Sequence, residues 1–154
     1  IRENKPVTVT DPNMTRYMMT LEDAVDLVMY AFKNGKQGDL FVQKSPGVTI
    51  NTLAEAIKKY KNSKAEIKII GTRHGEKDHE VLVTREEMSK AEDHKDYFRI
   101  PMDNRDLNYN NFYKDGDGNI KQFESYTSSN TQQLDIDGMI ELLIKMGEVE
   151  EWKY

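Results

Sequence analysis

The sequence predicts an α/β fold, and three observations support this prediction. Segments with β-type alternation and segments with helical spacing of apolar residues follow one another through the first half of the chain. Turn-forming residues separate these segments. The chain has 154 residues, of which 37% are hydrophobic, and this is enough for the core of one compact domain or of two small ones.

The N-terminal third begins with two extended segments and a helix. Residues 7–10 alternate Val and Thr and predict a short strand, and residues 14–19 predict a second extended piece after a turn. Thr20 is the expected N-cap of a helix that runs from Leu21 to the stop signal at Asn34 and Gly35.

The middle of the chain continues the alternation. Residues 38–43 predict a strand whose continuous apolar centre indicates cover on both faces. Asn51 is the expected N-cap of a helix over residues 52–61, which would bury Leu53, Ala56, Ile57 and Tyr60. Residues 67–70 contain three isoleucines and predict a buried strand.

The second half contains shorter elements. Residues 80–83 are expected to be extended, and Thr84 begins a capping-box pattern for a charged helix that ends near Glu92. Residues 97–101 predict a last short strand, and residues 102–131 have the composition of loops and hairpins. A final helix is expected between an N-cap at Asp135 and a stop at Gly147, and we divide the chain into residues 1–97 and 98–154.

Composition excludes several classes of function. The net charge is −5, which disfavours general binding to nucleic acid or to anionic membranes. The chain contains no cysteine, so it has neither disulfides nor thiolate metal sites, and a reducing, cytoplasmic location is expected. No apolar stretch is long enough to span a bilayer, and no signal peptide is apparent.

The polar loop that follows residues 67–70 is the first candidate site. Arg73 offers a planar set of donors that suits phosphate oxygens, and Glu76 could accept a hydrogen bond from a sugar hydroxyl. Arg16 lies beside another predicted strand and could supply a second guanidinium. The residues alone leave open whether the two arginines converge on one diphosphate or whether the loop is a solvated surface turn.

Residues 113–124 partly match a calcium-binding EF-hand loop. Asp115, Asp117 and Glu124 occupy ligand positions, whereas Tyr113 stands where the first carboxylate should be. A tight turn between short strands explains the same residues. A stand-alone binding or regulatory module that responds to calcium is therefore the alternative hypothesis, and no metal site is predicted.

Several segments together resemble a known enzyme family. They are residues 7–20 (VTVTDPNMTRYMMT), 40–42 (LFV), 71–80 (GTRHGEKDHE) and 98–109 (FRIPMDNRDLNY), with further similarity over 129–135. They resemble the C-terminal half of the UDP-N-acetylglucosamine 4,6-dehydratase/5-epimerases of capsule and O-antigen synthesis, which are extended short-chain dehydrogenase/reductases. The segment at 98–109 resembles the C-terminal extension specific to this subgroup.

The resemblance implies roles for five residues. Arg16 and Arg73 would grip the pyrophosphate of a UDP-sugar, and Glu76 would contact the uridine ribose. The strand end at Val9 and Thr10 would lie near the uracil. His74 departs from the family, because many relatives have proline there, and the loop is expected to be less rigid as a result.

The resemblance also implies what this chain lacks. The NADP-binding loop and the acid/base residues of the family belong to the N-terminal Rossmann half, so no catalytic residue and no bound cofactor are expected here. Because the chain begins at Ile1, we expect a fragment that binds UDP-sugar and is inactive by itself. The full-length parent would be an NADP-dependent enzyme of capsule or surface polysaccharide biosynthesis, and it would form homo-oligomers.

Overall fold

A computed structural model describes residues 5–102 and 123–147 and confirms the α/β prediction. The elements follow in the order β1 (Val7–Val9), β2 (Thr15–Tyr17), α1 (Leu21–Asn34), β3 (Leu40–Gln43), β4 (Gly47–Thr49), α2 (Ile50–Tyr60), β5 (Ile67–Ile69), β6 (Val81–Val83), α3 (Arg85–Met88), β7 (Glu92–His94), β8 (Tyr97–Ile100), β9 (Tyr126–Thr127) and α4 (Ile136–Lys145).

The described strands form four small sheets. Strands β1 and β5 pair in parallel, and β2 pairs with β4 antiparallel. Strand β8 lies between β3 and β7 and is antiparallel to both. Strand β6 pairs with β9. The chain divides into two compact units, one made of the described parts of residues 1–23, 45–80 and 127–154 and the other of 24–44 and 81–126.

The first unit is built around the packing of α2 against α4. Val48, Ala56 and Met139 are fully or almost fully buried between these helices and the β2–β4 pair. The C-terminal segment is fastened to β4, because the Gly47 N–H donates to Gln132 O at 2.8 Å and the Leu134 N–H donates to Gly47 O at 2.8 Å. A Cβ at Gly47 would lie 2.3 Å from Ser128 O, so this close approach requires glycine.

The second unit has its own core of Val42, Val83 and Ile100. Beside it, Arg99 is held between two carboxylates, with its Nε 2.8 Å from Asp39 Oδ2 and its Nη1 2.8 Å from Glu92 Oε2. The hydrogen bonds from the Arg99 guanidinium hold the pKa of Asp39 below its usual value. This unit therefore has both an apolar core and a paired set of charges.

Three predicted helix starts are confirmed and one is wrong. Thr84 caps α3 with the predicted capping box, in which its hydroxyl accepts the Glu87 N–H at 3.3 Å. Thr20 Oγ1 accepts the Asp23 N–H at 3.1 Å, and Asp135 Oδ1 accepts the Gly138 N–H at 2.8 Å, so both residues cap helices as predicted. The second helix begins at Ile50 rather than at residue 52, because Thr49, and not Asn51, is its N-cap. Thr49 has extended backbone angles and its hydroxyl accepts the Thr52 N–H at 3.0 Å.

Three other element predictions need correction. Strand β4, which begins at Gly47, was not predicted. The charged helix ends at Met88 rather than near Glu92, and Glu92 instead begins β7. In a four-residue helix the capping box stabilises only one turn, and pairing with β8 then decides the conformation of the residues that follow.

Two predictions of complete burial are wrong. Ile69 is 62% exposed and Ile70 is 44% exposed, because β5 pairs only with β1 in the described part of the chain. Leu40 is 49% exposed while Val42 is buried, so β3 has one covered face rather than two.

Helix α1 packs on a sheet through only one side. The Tyr30 ring stacks on Tyr97 with 4.4 Å between ring centroids and meets Phe41 edge-on at 5.7 Å. Another stripe of the same helix is exposed. It consists of Leu21, Val25, Val28, Met29 and Phe32.

Some predictions fall outside the described residues. Tyr113, Asp115 and Asp117 of the calcium-loop pattern belong to the segment 103–122, as does most of the region predicted to form hairpins. The division between residues 97 and 98 stays a prediction. Among the described residues, no helix is both long enough and apolar enough to cross a bilayer.

Candidate functional site

The site is built where β1 and β5 end. Because these strands are parallel, their carboxyl ends lie at the same edge, and the Ile70 N–H donates to Val9 O at 2.9 Å just past the last pair. The chain then enters an exposed loop in which Gly71 and Gly75 have φ angles of 85° and 87°. This left-handed backbone favours glycine, and it turns the chain so that Arg73 lies at the surface.

Glu76 closes this loop on itself. Its Oε2 accepts the Arg73 N–H at 2.9 Å, and the Glu76 N–H donates to Arg73 O at 3.1 Å. The Glu76 carboxylate, which was predicted to contact a ribose, thus holds the backbone of Arg73, which was predicted to contact phosphate. The Arg73 residue itself is exposed.

Arg16 extends from β2 toward the residues that follow this loop. Its Nη1 donates to Thr15 O at 2.7 Å, and its Nε lies 3.8 Å from Glu80 Oε1. The other oxygen of the same carboxylate, Glu80 Oε2, lies 3.9 Å from Lys77 Nζ. Glu80 therefore brings Arg16 together with the end of the loop that carries Arg73, and it adds Lys77 as a third cation.

A buried polar network lies next to Arg16. Thr15 is 5% exposed and Ser128 is fully buried, and their hydroxyl oxygens are 2.6 Å apart. Thr15 Oγ1 is also 2.9 Å from His79 Nδ1, while Ser128 Oγ accepts the Glu80 N–H at 2.9 Å. This network could not be predicted from sequence patterns, because its two hydroxyl residues are 113 positions apart.

The residues predicted to lie near a uracil form the strand end itself. Val9 is only 3% exposed and is part of the core. Thr10 is half-buried, and its hydroxyl lies 3.8 Å from Met14 Sδ. The role of Val9 and Thr10 toward a base stays a prediction.

The arrangement is suited to binding an anion. Arg16 and Lys77 both contact Glu80, and Arg73 lies four residues before Lys77, so three cations occur close together in a chain whose net charge is −5. Two guanidiniums can give paired, charge-assisted hydrogen bonds to phosphate oxygens. In the part of the chain that the structure describes, no group of three or more His, Cys, Asp or Glu residues could hold a metal ion.

Comparison with family models shows the family of the chain. Residues 1–102 match the model described as polysaccharide biosynthesis protein. The chain belongs to this family. Residues 103–150 match the model of the C-terminal part of polysaccharide biosynthesis proteins, which confirms that the resemblance extends to the last third of the chain.

Curated relatives point to the same family. The chain is 53% identical over 151 residues to a UDP-glucose 4-epimerase of Rickettsia rickettsii (strain Sheila Smith), covering 98% of this chain and 44% of that protein. It is 54% identical to a UDP-glucose 4-epimerase of Rickettsia bellii (strain OSU 85-389), again over 44% of the relative. The chain thus spans less than half the length of the curated relatives it matches.

A solved structure gives the same picture of the fold. The X-ray structure of Pen from Bacillus thuringiensis matches with a TM-score of 0.74 and 29% sequence identity. The match covers 95% of this chain and 42% of that one. The chain therefore corresponds to a part of a larger α/β protein.

Proposed function

We propose that this chain is the UDP-sugar-binding part of an enzyme that converts UDP-N-acetylglucosamine in bacterial capsule or surface polysaccharide biosynthesis. Family membership and similarity to proteins named UDP-glucose 4-epimerase support a nucleotide-sugar substrate. The parent enzyme would act as a 4,6-dehydratase or an epimerase, since both activities begin with the same class of substrate. This chain alone would bind and not catalyse.

The observation that carries the proposal is the shared carboxylate of Glu80 between Arg16 and Lys77. Glu80 follows Arg73 by seven positions and lies beside Arg16 and Lys77, and we infer that one diphosphate reaches both arginines. The contacts of 3.8 and 3.9 Å to Glu80 are long for ion pairs, and both groups are partly exposed. A diphosphate could therefore replace Glu80 as the partner of these cations at little cost.

The cofactor of the proposed parent would be held elsewhere. The 154 residues contain no Gly-x-x-Gly-x-x-Gly or Gly-x-Gly-x-x-Gly pattern, so this chain offers no dinucleotide-binding loop. We place NADP and the acid/base residues on an N-terminal Rossmann half, within a cytoplasmic homo-oligomer. When bound, NADP would accept and return a hydride, and the residues described here would only hold the UDP end of the substrate.

The exposed stripe of α1 supports an N-terminal partner. Phe32 is 85% exposed and Leu21 is 82% exposed, which is unusual for large apolar side chains spaced along one helix. The relatives contain more than half of their length outside the matched part. That remaining part is the occupant that we propose for the α1 stripe.

The sugar is a separate question from the nucleotide. Arg16 and Arg73 would contact the diphosphate, which UDP-glucose and UDP-N-acetylglucosamine share. The choice of UDP-N-acetylglucosamine rests on the resemblance at residues 98–109, whereas the relatives are named for UDP-glucose. Titrations with both UDP-sugars compare the two choices: tighter binding of UDP-glucose would contradict ours.

Isothermal titration with UDP tests the proposed binding site. Replacing Arg73 with Ala removes charge-assisted bonds worth about 1.5–3 kcal/mol, so UDP should bind roughly 10- to 100-fold more weakly. Arg73→Lys should recover part of this loss, because an ammonium group lacks the planar fork. The free energy of unfolding should change by no more than about 0.5 kcal/mol, because Arg73 is exposed.

Lys64→Ala is the matched control for this titration. Lys64 is exposed and precedes β5, at the opposite end of the strand from the Arg73 loop. Its replacement removes the same formal charge and should leave UDP affinity within about twofold, since screened charges contribute little at a distance. An equal loss of UDP affinity in both variants would mean that UDP binding depends only on the overall charge of the chain. An unchanged UDP affinity in Arg73→Ala would exclude the pyrophosphate role of Arg73.

A further inference from the structure

Ser128 makes more hydrogen bonds than a buried serine needs to be satisfied. Its N–H donates to Glu80 O at 2.9 Å, and its Oγ accepts the Glu80 N–H at 2.9 Å. The same Oγ lies 2.6 Å from Thr15 Oγ1 and donates to Thr15 O at 3.1 Å. One serine thus joins two segments that are far apart in sequence.

The two residues that Ser128 joins both contact the Arg16 guanidinium. Thr15 O accepts from Arg16 Nη1 at 2.7 Å, and Glu80 Oε1 lies 3.8 Å from Arg16 Nε. Thr15 O therefore accepts from both Arg16 and Ser128, using both of its lone pairs. A shift of the Ser128 hydroxyl would weaken its hydrogen bonds to Thr15 O and to the Glu80 N–H. Both residues that contact the Arg16 guanidinium would then be held less firmly.

We propose that Ser128 is a positioning residue that fixes the Arg16 guanidinium in the orientation required for an anionic ligand. The part that concerns the ligand rests on the proposed function, whereas the part that concerns Arg16 does not. Ser128 lies in the segment that matches the C-terminal family model, while Thr15, Arg16 and Glu80 lie in the segment that matches the first model. The C-terminal segment therefore completes the binding site instead of only covering it.

The protonation of the network is consistent with this role. With the Ser128 hydroxyl proton directed to Thr15 O, Ser128 Oγ accepts from both Thr15 Oγ1 and the Glu80 N–H. Thr15 Oγ1 can then accept from His79 Nδ1, at 2.9 Å. Every polar group in contact with Ser128 has a partner, so a buried, rigid arrangement costs no unpaired donor or acceptor.

The Nε–Hε signal of Arg16 in a ¹H–¹⁵N NMR spectrum of the 154-residue chain tests the positioning without any ligand. In Ser128→Ala this signal should move toward the position of a solvated arginine, while the Arg73 signal stays in place. Ser128→Cys, which fills the site but hydrogen-bonds weakly, should move it in the same direction. An Arg16 signal that stays in place in folded variants would overturn the proposal, even if the Glu80 amide signal moves.

UDP titration then tests the consequence for binding. Ser128→Ala should weaken UDP binding by about three- to tenfold, the effect expected for the loss of one supporting hydrogen bond. In the Arg16→Ala background the same change should have no further effect, because Ser128 acts through Arg16. Equal losses in both backgrounds would overturn the positioning role.

The control is Thr20→Ala, and it separates positioning from general destabilisation. Thr20 is 4% exposed in the same unit and its hydroxyl caps α1, so its loss should lower stability without moving the Arg16 signal or the UDP affinity. A Thr20→Ala change that weakens UDP binding as much as Ser128→Ala would count against the proposal. If the unaltered chain does not bind UDP, the proposed function fails, and the Arg16 signal alone decides the role of Ser128.

Discussion

Glu76 has a different partner in the structure from the ribose hydroxyl that the sequence analysis predicted. The sequence places a carboxylate three residues after Arg73, and a ribose hydroxyl was the expected partner. In the structure the carboxylate accepts the Arg73 N–H at 2.9 Å. A short-range bond of this kind forms without a ligand and prepares the loop for one, because less conformational entropy is then lost on binding.

Hydrogen exchange of the Arg73 amide tests this role of Glu76. Glu76→Ala removes the acceptor, and the Arg73 amide should exchange up to about tenfold faster. Glu76→Gln is the control: it keeps an acceptor oxygen and should stay within about twofold of the original rate. Similar exchange rates in all three proteins would show that the bond does not order the loop in solution.

Some residues of the candidate site could be chosen from the sequence, and others could not. Arg16 and Arg73 were chosen from residue chemistry and from their positions beside strands, and the structure places Arg16 near the end of the Arg73 loop through Glu80. Ser128 and Thr15 were not predicted as site residues, because serine and threonine are common in loops and strands. Only their burial and a contact across 113 positions distinguish them.

Among the secondary-structure elements, local sequence signals predicted where helices begin better than they predicted which strands pair and which strand residues are exposed. The caps at Thr20 and Asp135 follow from residues three positions apart, which the sequence displays directly. Thr49 was missed as a cap because it also ends β4 and lies only two positions before Asn51, which precedes the same apolar pattern. The exposure of Ile69 depends on which strands pair with β5, and a short apolar run does not contain that information.

Helix α1 provides a prediction at this scale. If its exposed stripe meets an N-terminal half, Phe32→Ser should cost about 1.5–3 kcal/mol in a chimera that joins this chain to the unmatched part of the Rickettsia rickettsii relative. In the 154-residue chain alone, the same change should stay within about 0.5 kcal/mol. Urea unfolding of both proteins measures the difference.

The neighbouring Lys33 supplies the control for the chimera. Lys33 is an exposed polar residue of the same helix, and Lys33→Ala should be close to neutral in both proteins. A Phe32→Ser cost that is equally small in the chimera and in the isolated chain would remove the α1 stripe as the proposed contact surface.

At the scale of the whole molecule, the site belongs to one unit. Arg16, Arg73, Glu80 and Ser128 all lie in the first of the two compact units, and each unit has its own buried core. The sequence predicted the α/β class and the family resemblance, because both follow from patterns within the chain. It could not predict the division into interleaved units, which depends on contacts between distant segments.

A ¹H–¹⁵N NMR titration of the 154-residue chain with UDP shows whether Arg16 and Arg73 bind the same diphosphate. The Nε–Hε signals of both arginines should shift and saturate together, with one dissociation constant, while the backbone amide of Lys64 stays in place. Movement of only one arginine signal, or two signals that saturate at different UDP concentrations, would show that the two arginines do not share one diphosphate.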